Sequence, residues 1–290
     1  MKHVDIVNGS TKVYGLIGHP IKHTLSPIIH NTLAKMLKYN MIYVPFDVPS
    51  GGLREALTGA YQLNIQGMNV TVPYKQEVIP FLSKIEGYAN QIGAVNTLKR
   101  GKDGYIGYNT DAEGLLQSLI QNEIRISGKN IMIIGAGGAA RAAAMVTASQ
   151  NPKQIYIVNR TKEKAEELSK AVSSHYDVPV QYGSLHSMDK DFIVDLCIQT
   201  TSVGLLPGND QSPITDEAFF SRVQAAVDLI YNPSETLFLK MAKKSGCKTV
   251  NGFGMLFFQA IRAFEIWNEI TVPPMYIDQL FEALKNEFNL

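Results

Sequence analysis

Apolar and polar positions along the chain alternate between two periods. Short runs rich in β-branched and aromatic residues stand at KVYGLIG (12–18), MIYVPFDV (41–48), MNVTV (68–72), AVNTL (94–98) and GYIGY (104–108), with helical spacing between most of them. A second series begins at NIMIIGAGG (130–138) and continues through QIYIVNR (154–160), FIVDLCIQT (192–200) and AAVDLIY (225–231). This order predicts an α/β protein with mostly parallel sheets covered by helices. RISGKN (125–130) is the natural seam between the two series. At the end, GMLFFQAIRAFEIWNEI and MYIDQLFEALKNEF carry apolar residues three and four apart, which predicts two helices free to return to the first series.

Length and charge narrow the class. A chain of 290 residues is long for one core and suggests about two domains. Its net charge of +1, with no basic stripe or polybasic run, argues against nucleic acid and membrane surfaces as partners. No segment has the length of a bilayer-spanning apolar run or the layout of a signal peptide, so a cytoplasmic protein is expected. The two cysteines, Cys197 and Cys247, fit buried small hydrophobes better than a disulfide. His19, His23 and His30 are grouped but lack the spacing and carboxylates of a metal site, so no metal is expected and all three read as turn or helix-surface residues.

The chemistry concentrates in a few stretches. In IMIIGAGGAARAA, Gly135, Gly137 and Ala140 follow the G-x-G-x-x-A form between a strand and an alanine-rich helix. Glycine there lets the backbone approach a pyrophosphate, which the free N–H groups of the helix start can receive; a tight turn that binds nothing has the same pattern. The next strand ends in Asn159, Arg160 and Thr161, without the acid that usually bonds the ribose of NAD. Arg160 suits a 2′-phosphate, which favours NADP over NAD.

A nicotinamide cofactor gives meaning to Lys75, which follows the strand-like NVTVP, with Pro73 suited to a helix start. Hydride transfer to a carbonyl leaves an alkoxide that needs a proton, and lysine can supply it, although any one lysine also fits a solvated surface. In GYNTDAEG, Thr110 and Glu113 spell a T-x-x-E capping box, which leaves Asp111 available as a partner for Lys75 or merely placed to favour the helix dipole. Thr24, Ser26, Asn69, Thr71 and Asn96 lie near predicted strand ends, where open α/β sheets bind ligands. Together they suit a small molecule with several hydroxyls.

GHPIKHTLSP, NVTVPYK, GAVNTL, GYNTDAEG, GAGGAARA, NRT and NGFGMLFFQA occur in the order and spacing of the shikimate dehydrogenase family, which the chain resembles over nearly its whole length. The resemblance implies NADPH-linked reduction of 3-dehydroshikimate to shikimate on the route to aromatic amino acids, by a monomer or homodimer. It implies a Rossmann-type NADP-binding domain inserted in a discontinuous α/β substrate domain: residues 1–112 for substrate, 113–252 for the dinucleotide, and 253–290 as terminal helices returning to the first part. Lys75 and Asp111 become the catalytic pair. Thr24, Ser26, Thr71, Asn96, Tyr231 and Gln259 become substrate ligands. Gly135, Ala136, Gly137, Gly138 and Ala139 would hold the pyrophosphate, Asn159, Arg160 and Thr161 the adenosine end, and Leu229 and Gly252 the nicotinamide. Thr24 stands where many relatives have serine, and Asn251 where aspartate is common. LIYNPSET also resembles the branch that oxidises quinate and often prefers NAD, so NAD and quinate remain open. A ligand-binding regulator of the same fold is a further alternative.

Overall fold

The computed structural model describes residues 7–21, 24–185 and 192–288. Two compact units result, the first from the chain up to Thr110 together with Gln259–Phe288, the second from Asp111–Phe258.

The first unit runs β1 (Lys12–Gly18), α1 (Ser26–Met36), β2 (Met41–Asp47), α2 (Leu53–Gln62), β3 (Gly67–Val70), β4 (Lys84–Ile85), α3 (Tyr88–Ile92), β5 (Thr97–Arg100) and β6 (Tyr105–Tyr108). Its sheet has the order β2-β1-β3-β5-β6-β4. β1 lies parallel to β2 and β3, and β4 parallel to β6, whereas β5 runs antiparallel to both its neighbours. The sheet is therefore mixed. The cause is the short loop Gly101–Gly104, closed by a bond from Gly101 N to Gly104 O of 2.9 Å, because a connection of that length can join only antiparallel strands. Period-2 alternation then sorts the side chains. Met68 and Val70 of β3 pack with Leu53, Leu57 and Ala60 of α2, while Tyr14, Leu16 and Tyr43 face the other way in a cluster with Trp267. Asn69, between Met68 and Val70, falls on that second face, where Tyr43 meets it.

The second unit begins in α4 (Thr110–Gln121) and continues as β7 (Asn130–Ile134), α5 (Gly138–Ala148), β8 (Gln154–Asn159), α6 (Lys162–Ser173), β9 (Val180–Ser184), β10 (Val194–Gln199), α7 (Glu217–Phe220), β11 (Val223–Asp228), α8 (Leu237–Lys244) and β12 (Lys248–Val250). All its strand pairs are parallel, in the order β12-β11-β10-β7-β8-β9. Ile131 to Ile134 are wholly buried, as a central strand covered on both faces requires. α9 (Phe253–Asn268) carries the chain across the division, and α10 (Pro274–Phe288) ends it. RISGKN lies inside this unit and is not a seam. Ile126 is buried, Gly128 N bonds Asn151 O at 2.9 Å, and Asn130 N bonds the Asp195 carboxylate at 2.8 Å. Among the described residues no helix is long and apolar enough to cross a membrane.

Candidate active site

The first unit gathers amides and hydroxyls from distant parts of the chain into one buried network. Asn96 is its centre. Its Oδ1 accepts from Thr110 N at 2.7 Å and from the Thr97 hydroxyl at 3.1 Å, and its Nδ2 donates to Thr110 Oγ1 at 3.0 Å and to Gln259 Oε1 at 3.4 Å. The network continues through Asn69, whose Nδ2 donates to Thr97 Oγ1 at 3.0 Å and whose Oδ1 accepts the Tyr43 hydroxyl at 2.8 Å. Asn69, Asn96, Thr97, Thr110 and Gln259 are all buried. An amide carries both donors and acceptors, so each can be satisfied by neighbours while fixing them in one orientation. Burial raises the Tyr43 phenol well above its ordinary pKa, so it keeps the proton that it donates to Asn69. Thr110 stands inside α4 as its first residue, with its N–H donated to Asn96 Oδ1 and its hydroxyl accepting Asn96 Nδ2, so it is a member of this network and not the helix cap expected from T-x-x-E.

Around the network lie the other expected substrate residues of this unit. Thr24 and the buried Ser26 sit at the start of α1, where Ser26 N and the Thr24 hydroxyl approach to 3.2 Å. Thr71 and Lys75 are half-buried. Pro73 does not open an α-helix. The chain turns repeatedly from Val72 to Val78, tied by Tyr74 N to Thr71 O at 2.9 Å and Val78 N to Tyr74 O at 3.0 Å. The turns hold Lys75 in place through its neighbours. Tyr74 is buried and donates its hydroxyl to Val48 O at 2.7 Å, and the Lys75 carbonyl accepts Val95 N at 2.7 Å, one residue from Asn96. Asp111, buried in the first turn of α4, directly follows Thr110 in the chain.

The histidines separate. His19 is exposed and bonds Asp47 at 2.7 Å, while His23 lies outside the described residues. His30 is not on the helix surface as expected but wholly buried. It stacks on Tyr43 at 4.3 Å and lies 5.0 Å from Trp267. Burial holds its pKa down to about 3, so the ring is neutral. The aromatic contacts come from segments far along the chain, which is why helical periodicity around His30 gave no sign of them.

The second unit presents a backbone surface instead. Gly135 has φ +118°, and a Cβ there would strike the Thr200 hydroxyl, itself held by Ile134 O at 2.7 Å. Ala136 and Ala139 are half-buried on either side of Gly137 and Gly138, where an added Cβ would enter open space. Gly137 caps α5 without a side chain, and no acid lies in the first turn, so neither a side-chain cap nor a carboxylate of that turn offsets the first helix N–H groups. These features fit a dinucleotide pyrophosphate. At the end of β8, Arg160 and Thr161 are exposed, and Asn159 Nδ2 bonds Thr161 O at 2.9 Å. The absence of a carboxylate at these three positions fits a 2′-phosphate.

Beyond β11, Leu229 and Gly252 come into contact. A Cβ on Gly252 would collide with the Leu229 carbonyl, and Gly252 N bonds Ile230 O at 3.0 Å. Tyr231 is half-buried, and burial raises its phenol pKa. The buried Asp228 just before them accepts the Thr236 hydroxyl at 2.6 Å and Ile230 N at 3.0 Å; burial pushes its carboxyl up to about 6 despite those bonds. Sequence reasoning missed Tyr43, Thr97, Asp228 and Thr200 as supports. A polar residue ending an apolar strand, as in VDL and IQTT, was the available signal.

Known families match both halves of this arrangement. Residues 16–98 match the shikimate dehydrogenase substrate binding domain, and residues 116–202 match the shikimate / quinate 5-dehydrogenase family. Shikimate dehydrogenase (NADP(+)) of Desulforamulus reducens is 43% identical over 272 residues, 92% of this chain and 93% of that protein. A shikimate dehydrogenase crystallised with NADP+ superposes with a TM-score of 0.88 at 42% identity, covering 96% of this chain and 97% of the other. Shikimate 5-dehydrogenase of Listeria monocytogenes, crystallised with shikimate and NAD, gives a TM-score of 0.87 at 30% identity, covering 97% and 99%. Identity of this extent over nine-tenths of both chains, on the same fold, means that the protein belongs to the shikimate dehydrogenase family.

Proposed function

We propose that the protein catalyses the reversible, NADPH-linked reduction of 3-dehydroshikimate to shikimate. The observation that carries the reading is the Asn96 network, where Asn96 and Gln259 stand in one buried cluster with further hydroxyls. Such a cluster suits a compact polyol, because amides offer hydroxyls both donors and acceptors. Relatives named for NADP+ and for shikimate support the choice of cofactor and substrate.

In this reading the unit up to Thr110 with the terminal helices binds substrate, and Asp111–Phe258 binds the dinucleotide. Thr24 and Ser26 receive the substrate carboxylate, and Thr71, Asn96, Tyr231 and Gln259 its hydroxyls. Gly135 to Ala139 receive the pyrophosphate at the start of α5, Asn159 to Thr161 the adenosine end, and Leu229 with Gly252 the nicotinamide. The bound cofactor supplies or accepts hydride. Lys75 gives its proton to the oxygen of the former ketone as the C–O bond becomes single, and takes it back in the reverse direction. The Asp111 carboxylate accepts a hydrogen bond from the reacting hydroxyl and holds the lysine.

Initial rates with shikimate and quinate, each with NADP+ and NAD+, test this. Turnover of shikimate with NADP+ is expected to dominate. Quinate turnover with NAD+ would move the protein to the second branch, which the NAD complex of a relative keeps in play. No turnover in any pair would leave a ligand-binding protein.

A further inference from the structure

The segment that carries Leu229 and Tyr231 is tied at several points. Asp228 bonds Ile230 N at one carboxylate oxygen and the Thr236 hydroxyl at the other, and that hydroxyl also accepts Leu239 N at 3.3 Å as the cap of α8. These bonds fix the ends. Asn251 fixes the middle: its Nδ2 donates to Ser234 O at 3.0 Å, and its Oδ1 accepts Phe253 N at 3.1 Å at the start of α9. The partners settle which way the amide faces, because a carbonyl can only accept and an N–H can only donate.

An aspartate could not do both. It would keep the bond to Phe253 N but turn a second oxygen toward the Ser234 carbonyl, which would lose its donor and face a negative charge. Gly252, next to Asn251, meets the same segment through Ile230 O and the Leu229 carbonyl. The amide thus links Ser234 to the turn on which Leu229 rests.

We propose that Asn251 is a positioning residue, using both ends of its amide to hold Leu229–Ser234 against Gly252 and so to set Leu229 and Tyr231 for nicotinamide and substrate. The inference rests on the functional reading above. The test compares full-length wild type with Asn251→Asp by hydrogen exchange of the 229–236 segment, by steady-state kinetics with shikimate and NADP+, and by affinity for 2′,5′-ADP, which occupies only the adenosine end. Expected are exchange about tenfold faster in that segment, kcat/KM for shikimate down about tenfold, and 2′,5′-ADP affinity within about twofold of wild type. Unchanged exchange overturns the proposal. So does faster exchange with unchanged kcat/KM, or a loss of 2′,5′-ADP affinity as large as the loss in kcat/KM. Should the aspartate variant fail to fold, Asn251→Ala removes both bonds without adding charge and is read in the same way. Wild-type protein that turns over no shikimate defeats the functional reading instead, and faster exchange in the variant then still supports the tie.

Discussion

The first unit prepares for its ligand with side chains, and the second with backbone. Asn96 and four buried polar residues from β3, β5, α4 and α9 bond one another before any ligand arrives. At Gly135–Ala139 the arrangement depends on the absence of side chains, with a positive φ at one glycine and open space over two others. The two designs should fail differently. A side-chain site is sensitive to which atoms are removed, because each loss leaves a buried partner unsatisfied. A backbone site is sensitive to what is added.

The largest effect is expected at Lys75, the one cation that the reading makes a proton donor. Lys75→Ala should lower turnover by a factor on the order of 10² or more, with NADPH affinity nearly unchanged. Rates and NADPH fluorescence titration on the same protein check it. Parallel loss of cofactor binding would show that Lys75 acts through the fold and would blur the contrast between the units.

A smaller, opposite pattern is expected from the backbone site. Gly135→Ala combines a φ that L residues rarely adopt with a collision at Thr200, so the turn must shift. A shift costing about 1.4 kcal/mol of binding raises the dissociation constant tenfold. NADPH affinity should therefore fall about tenfold, while the shikimate KM at saturating cofactor stays near wild type. Titration of cofactor and of substrate separates the two, and an equal rise in both would sink the idea that the sites are built independently.

How far the sequence revealed these designs follows the same division. Glycines before an alanine-rich helix are a local signal, and so are the central strands, whose apolar runs stand out. The edge strands β4, β9 and β12 escaped because they are short and partly exposed: β9 buries only Gly183, and β12 has three residues. The antiparallel β5 hid behind an alternation that suggested parallel order. In the Asn96 network the residue types were visible but the wiring was not. Asn69 reaches Tyr43 across 26 residues, and Asn96 reaches Gln259 across 163. Thr110 looked like a cap because its true partner lies outside its helix. His30 looked exposed for the same reason.

The smallest effect separates the units by sign. Asp228 in the second unit has its carboxyl raised from 3.8 to about 6, whereas His30 in the first is lowered from 6.5 to about 3, each mainly by burial. A raised carboxyl means the native state holds the proton more tightly than the unfolded chain. The stability contributed by Asp228 is therefore fully present below pH 3.8 and lost as pH rises through about 6. For His30 the neutral ring is favoured, so its contribution is present above pH 6.5 and lost as pH falls toward about 3. Between these limits the two slopes oppose each other. Relative to wild type, the Tm of Asp228→Asn should rise by a few degrees as pH is raised from about 4 to 6, and that of His30→Phe should rise as pH is lowered through the same window. Thermal unfolding of the three proteins across that range measures both. A flat difference for Asp228→Asn would mean that its bonds to Thr236 and Ile230 fully offset the burial of charge, and the second unit would then rely on side-chain wiring as much as the first.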